Sequence, residues 1–382
     1  MRANILRILI TTIVIPCFIV SARAEEASER LTTKQLAAPT PSRAFVADLA
    51  ISHIADGRVH IVDAVTGNYL AMLTTGYVGQ FKLTPDRKEL LIAAGYYSRL
   101  DKGERADVLQ IYDLENLKLS GEVTLTPKRA QALPYRGLLE ISADGKRVYV
   151  QNATPATSVT VVDLASRKVL SEIQTPGCWS IYPATQGSAQ FSTLCGDGTV
   201  LTIVLDEHGA SVSQKRSAKF FDVDDDAVFI HGEKVGNSYY FISFKGVLHQ
   251  LNLDGDAPAI IGKWPLVNST GSKSGWRPGG YEPIAINDKI GRLYLAMHAH
   301  GKEGSHKNPA QEIWEYDLAS KKLVRTAPAH GDVSIVTTHD GAPLLVGIDA
   351  GTATMNTYDG ISLKLLHKMT PVGDMPVQVE MQ

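Results

Sequence analysis

"RVHIVDA" at residues 58–64, "VLQIYDL" at 108–114 and "VTVVDLA" at 159–165 are three versions of one phrase, a β-branched and aromatic run that ends in aspartate. Their aspartates, Asp63, Asp113 and Asp163, stand fifty residues apart, and looser copies follow at Asp206, Asp254, Asp317 and Asp359. The order around each is constant. One run leads into a tight turn, as in "FKLTPDRKELLIA" (81–93) and "LLEISADGKRVYV" (138–150); the Asp-ended run comes third, and a fourth run follows.

Four short antiparallel strands recurring in this way predict an all-β chain, a seven-bladed β-propeller. The driving force is burial. A lone four-stranded sheet cannot cover its own apolar faces, whereas sheets stacked around an axis cover each other. The ends complement one another: "FVADLA" (45–50), "RVHIVDA" and "YLAMLTT" (69–75) supply three strands, and "PVQVEM" (376–381) supplies a spare fourth. Pairing them closes the propeller one-plus-three and removes an open edge. The fifth repeat has the least regular spacing.

Residues 1–24 stand apart from this pattern. A basic start with Arg2 and Arg7, the apolar "ILITTIVIPCFIV" and the small-residue pair Ala22 and Ala24 predict a cleaved signal peptide, and hence an exported, periplasmic chain. Its loss removes three arginines, taking Lys+Arg from 38 to 35 against 40 Asp+Glu. That acidic balance argues against nucleic acid and against an anionic membrane surface as partners. Residues 25–42, polar and then Pro-rich, are expected to form a flexible arm before the propeller at 43–382.

Cleavage also removes Cys17 and leaves Cys178 and Cys195. They lie almost symmetrically about the turn "ATQG" (184–187), so an antiparallel hairpin sets them face to face for a structural disulfide.

Two segments invite a metal. "HAHGKEGSHK" (298–307) holds His298, His300 and His306 with Glu303, the residue types of a zinc or copper site. Its glycines and the want of a second cluster favour a plain loop. "DVDDDAVFIHGE" (222–233) offers Asp222, Asp224, Asp226 and Glu233 at calcium-loop offsets, but Ala227 stands where the sharp turn requires glycine. Neither is taken as a metal site, and no catalytic residue is assigned to this chain.

Several stretches resemble one family. "GCWS" (177–180), "CGDGTVLTI" (195–203), "GWRPGGY" (275–281) and "MHAHGKEGSHKNPAQEIW" (297–314) are similar to the heavy subunit of the tryptophan tryptophylquinone amine dehydrogenases. "PKRAQALPYRGLLEISADGKRVYVQNATPATSVTVVD" (127–163) resembles the aromatic amine dehydrogenase branch most closely. The resemblance implies a periplasmic α2β2 enzyme that oxidises a primary amine to an aldehyde with release of ammonia. The quinone then belongs to the small subunit, and electrons pass to a blue-copper protein of the azurin or amicyanin type. This chain would position the small subunit, shape the substrate entrance and exclude water.

The resemblance also points to an aromatic residue in "TTGYVGQ" (74–80), Tyr77, beside the substrate channel, where family members often carry Phe. It implies a second, Tyr97, with Tyr96 beside it, before "SRLDKGER" (98–105). Two other classes compete with this reading: a self-contained propeller hydrolase such as a lactonase, and a non-catalytic binding propeller.

Overall fold

The computed structural model describes residues 35–132, 135–187, 189–267 and 274–382, so the expected signal peptide and the start of the arm lie outside the described residues. The remainder of the arm touches the sheets: Leu36 donates its N–H to the Glu115 carbonyl at 2.8 Å, and the Ser42 hydroxyl donates to Asp63 at 2.8 Å.

Four-stranded antiparallel sheets follow one another along the chain. In one, Leu139–Ile141, Arg147–Asn152, Ser158–Asp163 and Lys168–Gln174 pair in succession. The same order recurs from Cys178–Pro183 to Ser211–Arg216, from Val228–Val235 to Ala259–Pro265, and from Ser334–Thr337 to Leu365–Met369. The sheet between the last two begins with a divided strand, because Arg277–Pro278 and Ile284–Asn287 both pair with Arg292–His298. The fifth repeat, least regular in the sequence, is itself an ordinary four-stranded sheet from Val228–Val235 to Ala259–Pro265, and the divided strand with "GWRPGGY" belongs to the sheet of Asp317.

The recurring aspartate ends the third strand of each sheet and folds the turn into the outer strand. Asp63 Oδ1 accepts the Val65 and Thr66 N–H groups at 3.0 and 2.8 Å, Asp113 those of Glu115 and Asn116, Asp163 that of Ser166, and Asp359 that of Ser362. A short side chain that bonds its own backbone two or three residues on is the physical reason for the motif. Asp254 departs from it and accepts the Thr185 N–H at 2.6 Å from the neighbouring sheet.

Arg43–Asp48, Gly57–Asp63 and Tyr69–Gly76 pair in order, and the C-terminal strand Pro376–Met381 pairs antiparallel with the first of them, Val46 opposite Val379. This is the expected partnership of the two chain ends. It is fastened by Asp48, which accepts the N–H groups of Asp374 and Met375 at 2.9 and 2.7 Å and meets His60 Nε2 at 3.1 Å. Burial pushes the Asp48 carboxyl up, but His60 and three backbone N–H groups outweigh it and hold it far below the usual carboxylate range.

Apolar faces meet between successive sheets. Phe45, Val59 and Ile61 pack on Phe81, Leu90 and Ile92, and Leu91, Leu109 and Ile111 pack on Leu139, Val148 and Val150. Val336, Val346 and Ile348 of the last sheet pack on Val46, Val379 and Met381. Both faces of the inner strands are covered, so they read as continuous apolar runs rather than alternating ones. Each fully buried side chain of this kind contributes roughly 1.5–3 kcal/mol.

Candidate functional site

The strand Tyr69–Gly76 ends in a strained turn that aims Tyr77. Gly76 has φ +61°, and a Cβ there would stand 2.5 Å from the Gly95 carbonyl, so only glycine fits. Val78 also has a positive φ of 46°, a conformation that a β-branched residue rarely adopts. Arg129 holds the turn in place, its Nη2 donating to the Tyr77 carbonyl at 2.9 Å and its Nη1 to the Val78 carbonyl at 2.8 Å. The guanidinium is buried, which pulls its pKa down to about 10 against the opposing pull of Asp107. Strain of about 1–3 kcal/mol at such a residue persists only where surrounding bonds over-determine it.

The paired strands Glu89–Arg99 and Lys102–Asp113 bring Tyr97 to this turn. The Tyr77 and Tyr97 rings meet edge to face with centroids 5.5 Å apart, and the Tyr97 hydroxyl donates to Gln131 Oε1 at 3.0 Å. Tyr96, one residue earlier, lies on the other side of the strand. It packs against the core that contains Phe81 and Ile92, and its hydroxyl donates to Gln110 at 3.2 Å.

Beside Tyr77, the small apolar group of Leu49, Val78 and Val377 also carries Tyr281, and Tyr281 meets Tyr135 edge to face at 6.2 Å. Tyr281 lies in "GWRPGGY" and Tyr135 in "LPYRG"; the sequence marked both segments but not these two side chains.

Below Tyr135, Arg136 bridges distant sheets. Its Nε donates to Glu282 at 2.7 Å, its Nη1 to Glu233 at 3.3 Å and its Nη2 to the Ile335 carbonyl at 2.9 Å. His231 Nε2 lies 2.7 Å from Glu233, whose carboxyl burial pushes up but His231 and Arg136 draw down to about 2. The same inner strands line a cavity of about 690 Å³, in which Lys82 bridges Glu140 and Glu380 at 3.1 Å each. Every buried charge in this network has an opposite partner, as its desolvation requires.

The three histidines of "HAHGKEGSHK" diverge. His298 is buried, with Nδ1 3.0 Å from the Ala299 carbonyl, while His300 is exposed with φ +57° and His306 stands at a cavity mouth. Gly279 makes room for the His298 ring, since a Cβ there would lie 2.5 Å from it. The loop is bound to "GWRPGGY" by Gly301 N–H to Gly275 carbonyl at 2.7 Å and Gly280 N–H to His306 carbonyl at 2.9 Å.

The calcium candidates separate as well. Asp222 accepts the Asp224 and Asp225 N–H groups, Asp226 accepts the Ser243 hydroxyl, and Glu233 belongs to the Arg136 network. Among the described residues, no three His, Cys, Asp or Glu side chains converge as a metal site. Cys178 and Cys195 are opposite one another in the hairpin register and form a disulfide.

Comparison with known proteins completes the description. The family model "Methylamine dehydrogenase heavy chain (MADH)" matches residues 41–381. The methylamine dehydrogenase heavy chain of Methylobacillus flagellatus is 24% identical over 337 residues, 87% of this chain and 83% of that one. The heavy chain of Methylophilus methylotrophus is 25% identical over 349 residues, 88% of this chain and 82% of that one. Among solved structures, a functionally unknown protein from Desulfotomaculum acetoxidans aligns with TM-score 0.60 and 12% identity, covering 89% of this chain and 98% of that one. Dihydro-heme d1 dehydrogenase NirN aligns with TM-score 0.55 and 16% identity, covering 92% and 77%. At these identities the structural matches speak for the fold alone.

Proposed function

This chain belongs to the methylamine dehydrogenase heavy chain family, and we propose that it is the heavy subunit of a periplasmic, tryptophan tryptophylquinone-dependent amine dehydrogenase with a preference for aromatic primary amines. The observation that carries the reading is the family match over residues 41–381, which spans every sheet of the fold. The aromatic preference rests on the resemblance of residues 127–163 to that branch and on the tyrosines at the Tyr77 turn.

In this reading the sheets form a seven-bladed propeller closed one-plus-three. The pairing of Pro376–Met381 with Arg43–Asp48, and the packing of the last sheet on the first, support that architecture. The small subunit would hold the quinone, which would supply the redox chemistry of amine oxidation, with a blue-copper protein of the azurin or amicyanin type as electron acceptor. The assembly is an α2β2 heterotetramer.

The contribution of this chain is geometric. Arg129 fixes the Tyr77 turn, and the Tyr77–Tyr97 pair presents a rigid aromatic edge. An apolar edge of this kind excludes water and selects amines by shape before any bond is broken. Heavy and small subunits purified together should oxidise phenylethylamine with a dye acceptor, and the heavy chain alone should not. Activity in the isolated heavy chain would overturn the assignment.

A further inference from the structure

A cavity of about 370 Å³ opens where the start of the strand Val228–Val235 and the residues before it meet Gly280 and Tyr281 at the end of "GWRPGGY" and residues 303–307 of the histidine loop. Its walls are aromatic and aliphatic, formed by Tyr135, Tyr281, Phe229, Phe244 and Ile230. Its mouth is acidic. The Asp225 carboxylate is taken by Lys245 at 2.6 Å, whereas no hydrogen bond or ion pair among the described residues holds those of Asp224 and Glu303. Lys307 and His306 line the same cavity, and Lys219, which pairs with Asp222 at 2.7 Å, lies near enough to Asp224 to feel its charge.

We propose that this cavity binds a small ammonium ion carrying an aromatic body. The volume lies in the range of small-molecule sites, which are mostly apolar with a few polar groups that fix orientation. Tyr135 and Tyr281, edge to face at 6.2 Å, offer π-systems to a cation, and Asp224 and Glu303 offer it counter-charge. A carboxylate ligand of the same shape meets two like charges instead. The proposal rests on the amine-oxidising reading for its biological ligand, the substrate amine, and on the cavity alone for its chemistry. Tyr281 links the cavity to the Tyr77 turn, since it lines the one and packs on the apolar group of Leu49, Val78 and Val377 that also carries Tyr77.

The test uses benzyltrimethylammonium, which has no N–H and cannot be deaminated, titrated calorimetrically into the enzyme purified with its small subunit. Saturable binding is expected, weakened at least ~10-fold by Asp224→Asn with Glu303→Gln, and by raised salt. Both substituted residues are exposed, so the thermal unfolding midpoint should not move. Neutral 2-phenylethanol should bind more weakly than the cation. Absence of binding, binding indifferent to the double substitution, or equal binding of 3-phenylpropanoate would overturn the proposal. An enzyme that binds the quaternary ion but carries no amine-responsive quinone would sink the enzymatic reading alone, and the converse would sink this site alone.

Discussion

Tyr77 and Tyr97 meet edge to face at 5.5 Å, one from a turn after Gly76 and the other from the strand Glu89–Arg99, which pairs with the end of the strand Tyr69–Gly76 at Gly95. Arg129 reaches the same turn from a third segment and bonds two consecutive carbonyls, those of Tyr77 and Val78. Three stretches of chain therefore agree on one position for one aromatic ring. Such over-determination is expected where a side chain must be held for a ligand rather than merely covered.

Removing the ring should alter selectivity before stability. Tyr77→Ala in the assembled enzyme is expected to change the kcat/KM ratio of phenylethylamine to a short alkylamine by ~10-fold or more, the scale on which apolar pockets discriminate. Tyr77→Phe should change it little. Steady-state kinetics across an amine series checks this, and an unchanged ratio in Tyr77→Ala would remove Tyr77 from the substrate path.

Arg136 is expected to be the costliest single side chain in the inner network. Arg136→Met leaves Glu282 and Glu233 buried without the guanidinium, with only the His231 ring beside them, a loss of about 3–5 kcal/mol for a broken buried pair. Adding Glu282→Gln to that variant should restore part of the loss. Urea denaturation of the wild type, Arg136→Met, Glu282→Gln and the double variant measures it; a fully additive double variant would mean that the two groups do not act as a pair.

The positions that the sequence discloses are those with local causes. The aspartate beat is visible because six of the seven, all but Asp254, bond backbone two or three residues on, and the cysteine pair because a hairpin has a simple symmetry. The Arg136 network is invisible for the opposite reason, since Glu233 and Glu282 are 97 and 146 residues away and no short pattern joins them. "HAHGKEGSHK" misleads because spacing along a loop says nothing of direction: His298 turns inward onto Gly279, and His306 faces a cavity. Tyr281 and Tyr135 escape notice because their pairing is set by two long connections whose course depends on the whole fold.

Stability should fall on both sides of a mildly acidic optimum. Glu233 is drawn down to about 2 in the folded chain, below roughly 4.3 for a free glutamate, so its contribution is present above that value and lost as pH falls toward 2. Asp332 is opposite in sign. Burial lifts it to about 6, despite the Tyr358 hydroxyl at 2.7 Å, so its contribution is lost as pH rises from about 4 through 6. Denaturation midpoints between pH 3 and 8 should show both limbs. Asp332→Asn should flatten the upper limb, and an unchanged limb would exclude Asp332 as its cause.

The disulfide is expected to be structural. Cys178 and Cys195 are separated by 17 residues, and a cross-link over a loop of that order contributes about 3 kcal/mol. Cys178→Ser with Cys195→Ser should lower the urea midpoint accordingly and leave the amine preference unchanged. A change in preference with little loss of stability would argue for a role beyond fastening the hairpin.

The central claim is that this chain serves a quinone held by a small partner subunit. The most direct measurement is the absorption spectrum of the protein purified from its native cells, before and after adding phenylethylamine. The account predicts a copurifying small subunit and a visible quinone band that the amine bleaches. A colourless chain without that subunit, indifferent to amines when the neighbouring genes are expressed with it, would contradict the account.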